Sequence, residues 1–159
     1  MEKRYVLSAL VNNNSGVLTR ISGLFARRGY NITSLTVGET QDSKISRMTI
    51  ELFGDEYILD QIKKQLQKQI DVIAVEDLSS DSAVFRELIM VRVNADDENR
   101  ASVIEIANIF RAKVVDVACE SVILEMTGNQ EKVSAFLKLM DKYGIKELAR
   151  TGITALPRG

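Results

Sequence analysis

Two stretches hold the side chains and the spacing that chemistry would need. The first, residues 12–32, reads NNNSGVLTRISGLFARRGYNI and passes from three consecutive asparagines through a glycine into a helix-forming segment. A helix start presents unpaired backbone N–H groups with a partial positive charge, so an anion fits there. Asn12, Asn13 and Asn14 offer donors and acceptors without adding charge, and Gly16 lets the backbone approach a ligand as no residue with a Cβ can. Such a loop suits a small zwitterion, its ammonium and carboxylate held in one space. A helix cap formed by Ser15 or an asparagine is the plainer use of the same residues. Phosphate is disfavoured, because the loop lacks a Walker-type lysine and the spacing of a nucleotide loop.

The second stretch, NADDENR at 94–100, carries Asp96, Asp97 and Glu98. These acids read as a solvated helix start favoured by the helix dipole rather than as a metal site. The chain contains no histidine and one cysteine. That removes the commonest general base and nucleophile activator, and it makes a zinc site not credible. Cys119 alternates with Val115 and Val117 and is expected on a buried apolar strand face, as a thiol without a disulfide partner. Arg27 and Arg28 read as a charge pair at a helix C-terminus rather than as a nucleic-acid contact. No catalytic residue and no metal ligand is assigned.

The elements that must position the first stretch follow from periodicity. Residues 4–11 alternate as a strand, and Val17, Leu18, Ile21, Leu24 and Phe25 then recur at helical spacing up to Gly29, a natural stop. Residues 32–38 return to an extended pattern, QDSK makes a turn, and Met48, Ile50 and Leu52 alternate with Thr49 and Glu51 as a half-buried strand. GDE opens a second helix with Ile58, Leu59, Ile62 and Leu66 on one face, and DVIAVEDL closes the unit as a strand. After Leu78 the small polar residues SSDSA have linker composition, and the same order begins again. RELIMVRV is a strand; Val103, Ile106, Ala107 and Phe110 mark a helix; KVVDVA and SVILEMT are strands joined at 119–121; Val133, Phe136, Leu137 and Met140 mark the last helix, and IKELARTGI the final strand. The expected fold class is α+β: two tandem ferredoxin-like βαββαβ domains at 1–78 and 84–159, joined by a linker at 79–83.

Composition narrows the function. The 159 residues are 45% hydrophobic, enough for packed cores, and 21 basic against 22 acidic side chains leave a net charge of −1. No broad field exists to hold a polyanion, so nucleic acid and anionic membrane are poor partners. The apolar run of MEKRYVLSALV is too short for a signal-peptide core and is followed by no small-residue cleavage site, which reads as a cytoplasmic protein.

NNNSGVLTRISGLFARRGYNITSLTV followed by SRMTIELFGDE resembles the amino-terminal ACT domain of the regulatory (small) subunit of acetohydroxyacid synthase, also called acetolactate synthase. The resemblance extends from about Lys3 to ARTGITALPRG, nearly the whole chain. It implies a non-catalytic subunit that activates a catalytic (large) subunit and confers feedback inhibition by valine in branched-chain amino acid synthesis. It also implies a homodimer in which the first domain pairs with its copy and valine binds at the interface. Carried over by position, Asn13 and Gly16 match the effector-binding asparagine and glycine, and Asn31 matches the second effector-binding asparagine; Leu18 and Ile32 are neighbouring apolar candidates for lining the effector's side chain. Thiamine diphosphate, FAD and magnesium are then expected on the catalytic partner and no cofactor on this chain. The second repeat has NADDENR where the first has VNNNSGV, and its acids would repel a carboxylate.

Three other readings share this topology. A free-standing amino-acid-sensing ACT module, acting on another enzyme or a transcription factor, is the nearest alternative. An RNA-binding module needs aromatics on the central strands, which read RYVLSALV and RMTIELF without the required pattern. An acylphosphatase-like hydrolase needs a phosphate-cradling glycine loop with a strand-end arginine and asparagine, which is not found.

Overall fold

The computed structural model describes residues 3–78 and 82–159. Its elements are β1 (Lys3–Asn12), α1 (Val17–Arg28), β2 (Ile32–Glu39), β3 (Ile45–Gly54), α2 (Glu56–Gln67) and β4 (Val72–Leu78), followed by β5 (Ala83–Asn94), α3 (Arg100–Ile109), β6 (Lys113–Val117), β7 (Ser121–Gly128), α4 (Gln130–Asp141), β8 (Ile145–Arg150) and β9 (Thr154–Pro157). The first sheet has the order β2-β3-β1-β4 and the second β6-β7-β5-β8, the same permutation twice. The tandem βαββαβ fold expected from the repeat is therefore the fold observed.

In the first unit β1 and β3 pair antiparallel with Leu7 opposite Ile50 and Ala9 opposite Met48. Those side chains, with Val11 and Leu52, meet Val17, Ile21, Leu24 and Phe25 of α1 and Leu59, Ile62 and Leu66 of α2 in one closed core. The helical spacing read from the sequence is thus the buried stripe of α1 except at Leu18, which is exposed. The other face of this sheet mixes polar side chains with the buried pair Val6 and Leu78. Ser8, Thr49 and Glu51 are buried there, Arg4 forms an ion pair with Glu51, and Arg47 Nη1 donates to Ser8 Oγ at 2.6 Å. In the second unit Ile89, Val91 and Val93 of β5 and Val122, Leu124 and Met126 of β7 pack against Val103 and Ala107 of α3 and Val133, Phe136 and Met140 of α4.

Chain contacts divide the molecule into Met1–Val84 with Ile153–Gly159, and Phe85–Gly152. Residues 79–81 of the expected linker lie outside the described residues, and Ala83 already begins β5. The final strand expected through ARTGI stops at Arg150. Thr151 Oγ1 accepts a hydrogen bond from Leu88 N–H (3.1 Å), and Gly152 takes φ +91°, which turns the chain away from the line of β8 so that β9 pairs with β5 instead. Ile153 then donates its N–H to Ser34 Oγ (3.0 Å), Arg158 N–H donates to the Ser82 carbonyl (2.7 Å), and Ile153 and Ala155 are buried. The C-terminal segment therefore completes the first unit.

Cys119 corrects an expectation. It is exposed, not buried. β6 ends at Val117, and Ala118 N–H donates to the Ser121 carbonyl (2.8 Å), so Cys119 sits in the turn between two strands. The alternation with Val115 and Val117 is real, but β6 is an edge strand with a register shift between Val114 and Asp116, and Val115 and Val117 are 49% and 55% exposed.

Candidate functional site

The asparagine loop is pinned at its base by the sheet. Asn12 N–H donates to the Asp71 carbonyl and Asn13 N–H to the Lys44 carbonyl, both at 2.8 Å. Asn13 Nδ2 donates to the Ser43 carbonyl (2.9 Å) and to Glu39 Oε1 (3.1 Å). With its amide nitrogen committed, Asn13 keeps Oδ1 as an acceptor that no donor among the described residues uses.

Neither Ser15 nor an asparagine caps α1. The N-cap position is Gly16 itself, at φ +85°, and no side chain accepts from the first turn, which also contains no acid. The contrast lies within the same chain: Asp55 Oδ1 accepts from Ile58 N–H at the start of α2, and Asn129 Oδ1 accepts from Lys132 N–H at the start of α4, each at 2.9 Å. Asparagine and serine stand beside α1 in sequence, yet Val17 N–H donates only to the Asn14 backbone carbonyl (3.4 Å), and the N–H groups of Leu18 and Thr19 have no hydrogen-bond partner among the described residues. Gly16 holds a left-handed backbone there that a side chain would strain.

The five candidates form two groups. Asn13, Gly16 and Leu18 lie at the N-terminal end of α1, all exposed, with Leu18 47% exposed in the first turn. Asn31 and Ile32 lie past Gly29, which closes α1 in a left-handed conformation with Gly29 N–H to Ala26 O and Tyr30 N–H to Phe25 O. The 12 residues of α1 separate the two groups by about 18 Å. Asn31 is exposed and borders a small cleft with Tyr30, Phe53 and Ile58, while Ile32 packs half-buried on the core opposite Leu52. A single chain does not bring the two asparagines together.

Three residues at the loop escaped notice in the sequence: Arg20, Asp71 and Glu39. Arg20 Nε donates to Asp71 Oδ2 (2.9 Å), Nη2 reaches the same oxygen, and Nη1 stands 3.1 Å from where a Cβ on Gly16 would be. Helical spacing places Arg20 on the same face as Gly16, four residues on, but its partner lies 51 residues away. At the equivalent place in the second unit, Asp96 Oδ1 accepts from Glu98 N–H (2.9 Å) and Asn99 N–H (3.2 Å), and Asn99 Oδ1 accepts from Asp96 N–H (2.7 Å). That turn is closed on itself. Among the described residues no group of three or more histidine, cysteine or acidic side chains is arranged to hold a metal, and no helix is long and apolar enough to cross a membrane.

Two ferredoxin-like units in tandem, the first with an open loop at the head of its first helix, define a protein of the ACT-domain class; residues 7–74 match the ACT domain of small subunits of acetohydroxyacid synthase. Residues 86–159 match the family described as the small subunit of acetolactate synthase. The chain is 51% identical to a probable acetolactate synthase small subunit of Archaeoglobus fulgidus, covering 98% of each, and 47% identical to that of Mycolicibacterium smegmatis, covering 98% of this chain and 91% of the relative. The crystal structure of the small subunit from Thermotoga maritima superposes with a TM-score of 0.90 at 38% identity, over 99% of this chain and 98% of that one. This chain belongs to the acetolactate synthase small-subunit family.

Proposed function

We propose that the chain is the non-catalytic regulatory subunit of an acetolactate synthase, that it binds valine between two copies of its first unit, and that it activates the catalytic subunit while conferring feedback inhibition. The observation that carries the interface reading is the separation of Asn13 and Gly16 from Asn31 by the length of α1. β2 is an edge strand of the first sheet. Its sequence, ITSLTVGE, contains neither the lysine nor the proline that commonly protects an edge, and Val37 on it is 43% exposed. A second copy pairing β2 against β2 about a two-fold axis sets the start of one strand beside the end of the other. The end of β2 is Glu39, hydrogen bonded to Asn13. Asn31 and Ile32 of the second copy then arrive beside Asn13, Gly16 and Leu18 of the first, and symmetry makes two such sites.

In that arrangement the open amides of α1 take the effector's carboxylate, Asn13 Oδ1 and the second copy's Asn31 serve its ammonium, and Leu18 with the second copy's Ile32 lines the branched side chain. Thiamine diphosphate, FAD and magnesium belong to the catalytic partner in this reading, and the complex works in the cytoplasm. Sedimentation of the full chain, with and without valine, tests the interface, and activity of the reconstituted synthase against valine tests the regulation. A dimer or larger assembly and saturable inhibition are expected. A strict monomer at micromolar concentration in both conditions overturns the interface, and a reconstituted enzyme indifferent to valine overturns the effector.

A further inference from the structure

We infer that Arg20, held in place by Asp71, is the residue that recognises the effector's carboxylate and makes the site select a free amino acid over its uncharged-carboxyl analogues. The inference rests on the effector-site reading above and assigns within it a residue that reading does not use. An arginine fork carries five N–H donors. Two of its nitrogens, Nε and Nη2, are spent on a single oxygen, Oδ2 of Asp71. Asp71 is itself fixed: its side chain is only 13% exposed, and its backbone carbonyl takes the Asn12 N–H at the base of the loop. The ion pair therefore aims the guanidinium rather than consuming it. The third nitrogen, Nη1, has no acidic partner among the described residues and stands 3.1 Å from where a side chain on Gly16 would begin.

The missing side chain of Gly16 consequently lets the Arg20 guanidinium lie close against the head of α1, where the N–H groups of Leu18 and Thr19 have no hydrogen-bond partner among the described residues. A carboxylate at the head of α1 receives a charge-assisted bond from Arg20 Nη1 in addition to the backbone N–H groups. Asp71 is a positioning residue here: its removal frees the fork to swing without removing the charge.

The test is calorimetric titration of the full-length chain with L-valine and with L-valinamide, which keeps the ammonium and the branched side chain but has no carboxylate. The parent is expected to prefer valine by at least about tenfold. Arg20→Gln should weaken valine about ten- to hundredfold and leave valinamide within about threefold of the parent, so that the preference collapses. Arg20→Lys, which keeps the charge and is the milder change for folding, should fall between, and Asp71→Asn should lower the preference by a smaller factor. Circular dichroism and sedimentation confirm that each variant is folded and assembled as the parent is. Folded Arg20 variants that bind valine like the parent, while Asn13→Ala loses it, overturn the role of Arg20 and leave the site reading standing. Equal losses for valine and valinamide also overturn it, since a structural defect costs both ligands alike. A parent that binds neither compound sinks the site reading and the inference together.

Discussion

Replacing Gly16 by aspartate should abolish inhibition by valine while leaving a folded subunit that still activates its catalytic partner. The residue sits at φ +85°, where a side chain costs about 1 to 2 kcal/mol. A Cβ there meets Arg20 Nη1 at 3.1 Å, a contact that a shift of a few tenths of an ångström in the guanidinium relieves. The fold therefore survives with a modest loss. Binding does not. The new carboxylate lies where the effector's carboxylate is to be held, and two like charges about 4 Å apart at an effective dielectric of about 20 repel by about 4 kcal/mol. Pairing of the new acid with Arg20 brings no relief, because it withdraws the cation from the ligand. A penalty of about 4 kcal/mol is close to three orders of magnitude in affinity and exceeds a typical allosteric coupling of about 1 to 3 kcal/mol. Gly16→Ala separates the terms: it carries the backbone strain and the contact without the charge, and should weaken valine far less. The assay is activity of the reconstituted synthase against valine concentration, with circular dichroism as the check on folding. Folded Gly16→Asp protein that activates its partner and remains as valine-sensitive as the parent would rule out a carboxylate site at the head of α1.

Three further outcomes are expected. Asn13→Ala and Asn31→Ala each remove a hydrogen bond to a charged group, worth about 1.5 to 3 kcal/mol, and should raise the inhibitory valine concentration by about one to two orders of magnitude without loss of activation. Ile153→Ala should cost about 2 kcal/mol in the first unit, seen as faster amide exchange along β2 with unchanged exchange in β7; unchanged β2 exchange would contradict the packing of the C-terminal segment there. A thiol reagent should modify Cys119 in the native protein at the rate of an exposed thiol, and protection that lasts until denaturation would contradict its place in the β6–β7 turn.

Local periodicity made the units legible. Val17, Ile21, Leu24 and Phe25 recur at helical spacing because one face of α1 must close the core, and all four are buried. The loop was legible too, since a glycine between asparagines and a helix has few conformational roles. What could not be read depends on which surfaces are covered and on residues distant in sequence. Val115, Val117 and Cys119 alternate as a buried strand does, yet nothing in their spacing reveals that β6 is an edge with a register shift. Ser15 looked like a cap, but the left-handed Gly16 takes the N-cap position. Arg20 meets Asp71 across 51 residues, and Ile153 meets Ser34 across 119. Both pairings follow from tertiary register, which no local pattern encodes.

In the proposed dimer one site takes Asn13 from one copy and Asn31 from the other, and mixed dimers give the sharpest check of that sharing. Asn13→Ala and Asn31→Ala chains with different affinity tags are co-expressed, the heterodimer is purified through both tags, and valine is titrated calorimetrically. In a shared site, one of the two sites in each heterodimer combines an intact Asn13 with an intact Asn31, while the other lacks both. The heterodimer should then bind with parent-like affinity at about half the parent's stoichiometry, although each variant alone binds weakly. If each chain built its own site, no site in the heterodimer would hold both asparagines, and weak binding throughout would contradict the account.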